Sequence, residues 1–411
     1  MQITTPQITH REGETRCRFS VTSSWAPDTL WFAVDSEFEG LLSERSDSAL
    51  LALLIPAMER DEDIHIAGTV SERLYYSLSR PYQAFLKAVI PSLSSIEIHA
   101  NSVQPTQGQA SGVATGFSAG IDSFAVLADY YYNDDRADST ITHLLYNNVG
   151  SHGDGGEQLF RERYERLQRT IEKIGLPSVA VNSNMDAFYD GFTFQKTHTV
   201  RNTAVALLLQ GGIGTFLYGS TFDYEEICVK PTYDMAYTDP VGLPLLSTDG
   251  IETRDVGCEY TRVEKTLIVS DIVDSHESLD ICARPDSASN CSDCWKCRRT
   301  LLTLEIAGLL DRYTEVFDLR AYRDGREQYM AEVLASDDPL LEEIVTFAEE
   351  QNFEFPARAR VLARGKVGPA NKLRSVVESA ASNPTLQGVV KSNQTLRRAA
   401  KKSVRALGDT T

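Results

Sequence analysis

The sequence predicts an α/β protein whose centre is a parallel sheet of about five strands with helices on both faces. Two observations carry this. Short apolar runs alternate with helical patterns between residues 113 and 300, as they do when each strand returns through a covering helix. The runs are also continuously apolar, as strands buried on both faces must be. A smaller α/β unit is expected over residues 1–103 and a helical region over 301–411, so the central stretch of 113–300 is flanked on both sides.

In the first part, Thr29 to Val34 read as a strand. Residues 48–58 read as a largely buried helix capped by Ser46 or Asp47. Residues 63–67 and 96–100 alternate like strands around a helical stretch at 74–89. The polar, turn-rich run 101–112 reads as a linker. In the central part, strands are expected at 113–117, 141–146, 178–181 and 215–218. Helices are expected at 124–132, 157–174 and 200–210, the second carrying Leu159, Phe160, Tyr164, Leu167, Ile171 and Ile174 on one stripe. Beyond it, 301–310, 326–334, 340–347 and 371–381 have helical spacing. A last helix at 394–407 carries Arg397, Arg398, Lys401, Lys402 and Arg405.

Composition bounds the function. The chain has 411 residues, 42% apolar and 24% charged, and a net charge of -18. That charge argues against a broad nucleic-acid surface, leaving only the basic last helix as a place for RNA, anionic lipid or an acidic partner. No apolar run approaches a membrane span and residues 1–5 lack a signal-peptide pattern, so no membrane partner and a cytoplasmic location are expected. A homodimer is left open.

The chemistry is expected where the first central strand ends. There the chain runs straight into Ser118-Ala119-Gly120-Ile121-Asp122-Ser123 and then a helix. A turn of small residues leaves backbone N–H groups uncovered, and the helix N-terminus adds partial positive charge, which together cradle a phosphate chain. Ser118 and Ser123 can add hydroxyl donors, and Asp122 can hold Mg²⁺ or orient the loop. The loop lacks the Gly-Lys-Ser/Thr ending of a Walker A motif. A second candidate is Arg201-Asn202 at the start of a helix, which from the residues alone can equally be an exposed helix-start arginine. Lys196 and His198 read as surface residues. The third is Cys282, Cys291, Cys294 and Cys297. Two-residue gaps turn neighbouring thiolates onto one ion, and four sulfurs make a closed structural Zn²⁺ site, with an iron–sulfur cluster as the rival.

The hexapeptide resembles the Ser-Gly-Gly-x-Asp-Ser signature of the PP-loop ATP-pyrophosphatases, with Ala119 in place of the first glycine. The Arg-Asn pair and the cysteine segment followed by Arg298-Arg299 resemble those of the 7-cyano-7-deazaguanine synthases, a branch of that superfamily. The resemblance covers about half the chain, residues 113 to 312. It implies a PP-loop (HUP-like) fold binding ATP and Mg²⁺ through residues 118–123, Arg201 and Asn202. It also implies an AMP-forming reaction in which an activated acid is attacked by ammonia or an amine. Ser118, Asp122 and Ser123 would act in catalysis.

The substrate side departs from the branch. Gly219-Ser220-Thr221-Phe222-Asp223-Tyr224-Glu225-Glu226 stands where the deazaguanine enzymes carry a different segment, so their substrate is not implied. Asp223, Glu225 and Glu226 could face a polar substrate or be a solvated loop. Arg262 and Lys265 could neutralise departing pyrophosphate or form a surface pair. A nucleotide-binding module with a degraded loop, and a tRNA-modifying thiolase, are the alternative functions.

Overall fold

The computed structural model describes residues 1–106, 108–133, 139–153, 156–284 and 289–366, in two compact units, 1–318 and 319 onward. The first unit is built on one mixed sheet of eleven strands rather than about five. Its first strands are β1 (Gln2–Ile3), β2 (Gln7–Arg11), β3 (Glu14–Thr22) and β4 (Thr29–Asp35). Glu12-Gly13 closes the tight β2–β3 hairpin, with Gly13 at φ +73°. After α1 (Asp47–Glu59) come β5 (Ile64–Ser71), α2 (Glu72–Ser79), α3 (Pro81–Val89) and β6 (Ile98–Gln104). The helical stretch expected at 74–89 is thus two helices, because Pro81 has no N–H to continue the first and sits at the start of the second. The expected linker is shorter than 101–112, since β6 pairs with β5 as far as Gln104.

The central part follows as β7 (Gly112–Gly116), α4 (Ile121–Tyr130), β8 (His143–Asn147), α5 (Glu157–Ile174), β9 (Ser178–Ser183), α6 (His198–Leu208) and β10 (Ile213–Gly219). On α5, Phe160, Leu167, Ile171 and Ile174 of the expected stripe are buried, and Gly175 ends the helix at φ +78°. Then come a short α7 (Asp239–Gly242), β11 (Glu252–Val256), α8 (Arg262–Ser270), α9 (Val273–His276) and α10 (Trp295–Ile306). The sheet order is β11-β10-β7-β8-β9-β4-β3-β1-β5-β6, with β2 on β3. From β11 to β9 every pairing is parallel, so the carboxyl ends of five strands share one edge, where open α/β sheets bind ligands.

The first hundred residues share this sheet. β4 pairs antiparallel with β9 through Phe32↔Ser183 and Ala33↔Asn182. Asn184 extends the joint, accepting from Trp31 N (2.8 Å) and donating to Thr29 O (2.7 Å). Helix α1, buried from Asp47 to Met58, packs on α6, and one apolar core takes in residues of both parts. Buried Asp47 bridges them with bonds from Ser71 N (2.7 Å) and Gln210 Nε2 (2.8 Å).

The second unit comprises α11 (Leu319–Val333), α12 (Pro339–Glu350) and α13 (Ala357–Lys366). The helices expected at 371–381 and 394–407 lie outside the described residues.

Candidate active site at the carboxyl edge of the sheet

The loop after β7 is held at both ends. Phe117 N donates to Leu145 O (2.8 Å), which continues the ladder past the strand. Ala119 follows in the left-handed region at φ +56° with its methyl fully buried. For a residue with a Cβ this conformation costs about 1–2 kcal/mol. Asp280 N anchors the turn from outside, donating to Ala119 O (2.8 Å). Gly120 is the N-cap of α4, and no side chain caps the helix, so its first N–H groups have no side-chain acceptor among the described residues. Ser118 is exposed at the rim. Ser123 is not a free donor: its hydroxyl is buried and donates to Gly120 O (3.0 Å).

Behind the loop stand two buried cations. Thr261 and Glu264 form a capping box that fixes the start of α8. Arg262 then reaches Asp122 with one hydrogen bond, Nη2 to Oδ2 (2.9 Å), and an ion-pair contact of Nη1 with Oδ1 (2.7 Å). Asp122 is thereby held by the guanidinium of Arg262. Lys265 is 1% exposed and donates from Nζ to Ser220 O (2.8 Å) and Ser220 Oγ (2.7 Å). Burial lowers its proton affinity against the pull of Asp122. Neither cation belongs to a surface pair. Asp223 accepts from Glu225 N (2.9 Å), and Glu225 is exposed, as in a solvated loop.

Arg201 is placed differently from the expectation. Its side chain is buried, with Nε on Thr197 Oγ1 (2.8 Å), Nη1 on Val149 O (2.9 Å) and on Asp186, and its guanidinium carbon 3.9 Å from the Tyr189 ring centre. A Cβ on Gly150 would lie 2.1 Å from Nη1, so that glycine makes room for the cation. Asn202 donates to His198 O (2.8 Å) and accepts from Asn147 Nδ2 (3.0 Å), which fixes the end of β8.

His198, expected at the surface, is 13% exposed and central to a polar cluster. Its Nε2 meets Asp234 Oδ1 (3.0 Å) and its Nδ1 meets Tyr218 OH (2.7 Å). Burial alone would lower its proton affinity; the Asp234 bond and the charges of Asp239 and Asp234 outweigh it and raise it. Asp239 accepts from Thr199 Oγ1 (2.7 Å), and Asp255 accepts from Cys258 Sγ (2.8 Å). Burial pushes the Asp239 carboxyl up to about 6. Burial, and then the charge of Asp239, pushes Asp255 up to about 8. Sequence spacing carries no sign of this cluster, because its members come from α6, β10, the turn before α7 and β11.

The four cysteine sulfurs lie within 4.8 Å of one another. The Cys291–Cys294 turn places Ser292 at φ +59°, and Cys294 N donates to Cys291 Sγ (3.2 Å). Ala283 N donates to Cys294 Sγ (3.5 Å). Asp293 holds the turn through Arg284 (3.0 Å) and Arg298. Four converging soft donors, of which Cys291 and Cys294 receive N–H bonds, fit a closed tetrahedral ion such as Zn²⁺. Asn290 links this knuckle to the loop. It donates to Leu279 O (2.7 Å) and accepts from Ile281 N (2.9 Å), on either side of the Asp280 that anchors Ala119. Between knuckle and loop lies a cavity of about 220 Å³ lined by Ser118, Tyr146, Arg163, Arg166, Asp280 and Asn290.

No protein-family model, curated protein or solved structure matches the chain.

Proposed function

We propose that the chain is an AMP-forming, ATP-dependent adenylating enzyme that activates a carboxylate or carbonyl oxygen of a small molecule or conjugate for attack by ammonia or an amine. The observation that carries this reading is the loop of Ser118 to Ser123: a left-handed turn with an uncapped helix start, at the carboxyl edge of five parallel strands, backed by Arg262 and Lys265. Backbone N–H groups of the turn and of α4 hold the β and γ phosphates of ATP·Mg²⁺. The acceptor oxygen attacks the α-phosphorus, and pyrophosphate leaves into the loop, where the nearby cations offset its charge. The resulting adenylate is electrophilic because AMP leaves readily, so the protein supplies alignment rather than a covalent nucleophile.

The buried pairing of Asp122 with Arg262 and the strained Ala119 favour a second reading, a nucleotide-binding module without turnover. Release of AMP and pyrophosphate from ATP·Mg²⁺, with and without a small-molecule cell extract, separates the two. Ser118→Ala, at an exposed hydroxyl, is the control. Extract-dependent AMP that the variant fails to make supports the enzyme. ATP binding with no AMP supports the module, and ADP in place of AMP sinks both.

A further inference from the structure

The carboxyl ends of β10 and β11 are acidic. Parallel pairing sets Tyr218 beside Asp255, each one residue short of its strand's end. Asp255 feels the charge of Asp239, and Tyr218 feels those of Asp239, Asp234 and Asp255. Three carboxylates thus gather around one histidine and one phenol. No lysine or arginine forms an ion pair with any of the three among the described residues, although the Lys265 charge acts on Asp255; Asp234 pairs with His198 and also accepts from Ala236 N (3.0 Å). Asp239 is 1% exposed, yet its Oδ2 is buried without a hydrogen-bond partner, and Asp255 Oδ1 is in the same condition. Buried carboxylate oxygens normally have donors, so two vacant acceptors, on carboxylates near enough for the charge of one to act on the other, mark the place of a donor the chain does not supply.

The geometry says which kind of donor. A divalent ion needs oxygens converging on one point. Among the described residues, only the four cysteines and the exposed Asp63, Glu97 and His99 bring three or more ligand atoms together in that way. Acceptors spread over separate elements suit a group with several diverging N–H bonds.

We propose that Asp239 and Asp255 form a binding site for a primary ammonium group, through which the amine consumed after adenylation enters. Its place in the reaction rests on the adenylating reading; the binding does not. To become a nucleophile the ammonium must lose one proton: an N–H bond breaks, its electron pair stays on nitrogen, and the proton passes to the Asp255 carboxylate. Burial has raised the proton affinity of that carboxylate, so the proton it holds in the free site is displaced to solvent when the ammonium binds, and it takes one back as the amine forms.

The test is the unfolding midpoint of the full chain in methylammonium chloride, against potassium chloride and tetramethylammonium chloride at equal ionic strength. Methylammonium is expected to raise the wild-type midpoint by about 1–2 °C over potassium, and tetramethylammonium, which has no N–H, is not. Asp239→Asn and Asp255→Asn should lose the increment, each read against its own potassium midpoint so that a change in basal stability does not enter. Equal midpoints in methylammonium and potassium for the wild type would overturn the proposal, as would an undiminished increment in both variants. A rise given by Mg²⁺ instead, and lost in the variants, would also overturn it and assign the site to a divalent ion. Binding of a non-hydrolysable ATP analogue to wild type and Ser118→Ala is measured separately. Failure there removes the adenylating reading and leaves the methylammonium result standing.

Discussion

Replacing Arg201 with methionine keeps an unbranched side chain of similar reach but removes a buried guanidinium. The loss can be worked from its contacts. Val149 O, at 2.9 Å, loses its donor in a buried setting, which costs about 1–3 kcal/mol. Stacking on Tyr189 at 3.9 Å adds up to about 2 kcal/mol for a desolvated cation. Asp186 is 44% exposed and regains water, so its pair contributes little. Burying methionine in place of a charge returns part of the sum. The net expectation is about 3 kcal/mol, or about 5 °C in the unfolding midpoint of a unit this large. The assay is thermal unfolding followed by circular dichroism, with ATP binding measured well below the transition. If Arg201 is structural, the midpoint falls and the folded fraction still binds ATP. A midpoint within about 1 °C of wild type together with lost ATP binding would refute this reasoning and return Arg201 to the phosphates.

Three further outcomes are expected. Ala119→Gly relieves about 1–2 kcal/mol of backbone strain, offset by about 0.4–1 of unfolded-state entropy and about 0.8 for the buried methyl, so stability should hold within about 1 kcal/mol. Affinity for ATP, read by isothermal titration, should rise severalfold, and a fall would show that the methyl does not crowd the loop. Asp255 binds its proton more tightly folded, at about 8, than unfolded, at about 4, so its stabilising contribution is full below about pH 4 and is lost as pH rises through about 8. Asp239 acts in the same sense up to about 6. Asp255→Asn should therefore flatten the decline of the unfolding midpoint between about pH 6 and pH 8.5; an unchanged slope would show that the group is not so perturbed. Cys294→Ser should reduce zinc, measured by elemental analysis of the purified protein, from one per chain to near none. Because Asn290 and Asp280 join knuckle and loop, ATP affinity should fall with it.

What the sequence disclosed follows the range of the forces involved. The strands at 113–117, 141–146, 178–181 and 215–218 and the helix at 157–174 announce themselves by local periodicity, and the structure places them within a few residues. β2 is exposed at every position, and β11 reads Glu-Thr-Arg-Asp-Val; both are strands because of their partners. In β3 the inward alternation of Cys17, Phe19 and Val21 was available as a signal, although its meaning depends on β4. The loop and the cysteine knuckle were legible because their chemistry needs fixed short spacing. His198, Asp234, Asp239 and Asp255 were not, since only the β10–β11 pairing and the turn leading to α7 bring them together.

The β4–β9 joint has a consequence for how this chain can be divided. A fragment beginning at residue 112 would keep the five parallel strands and the loop of Ser118 to Ser123 on paper. It would also leave β9 with a naked edge and strip α1 from α6, exposing the apolar faces they now hide from each other. Such a fragment is an aggregation hazard rather than a minimal folded unit. The opening hundred residues are not a detachable module: they are one wall of the same building, and a lesion at Phe32 or Ala33 should be felt as a loss of solubility of the whole first unit.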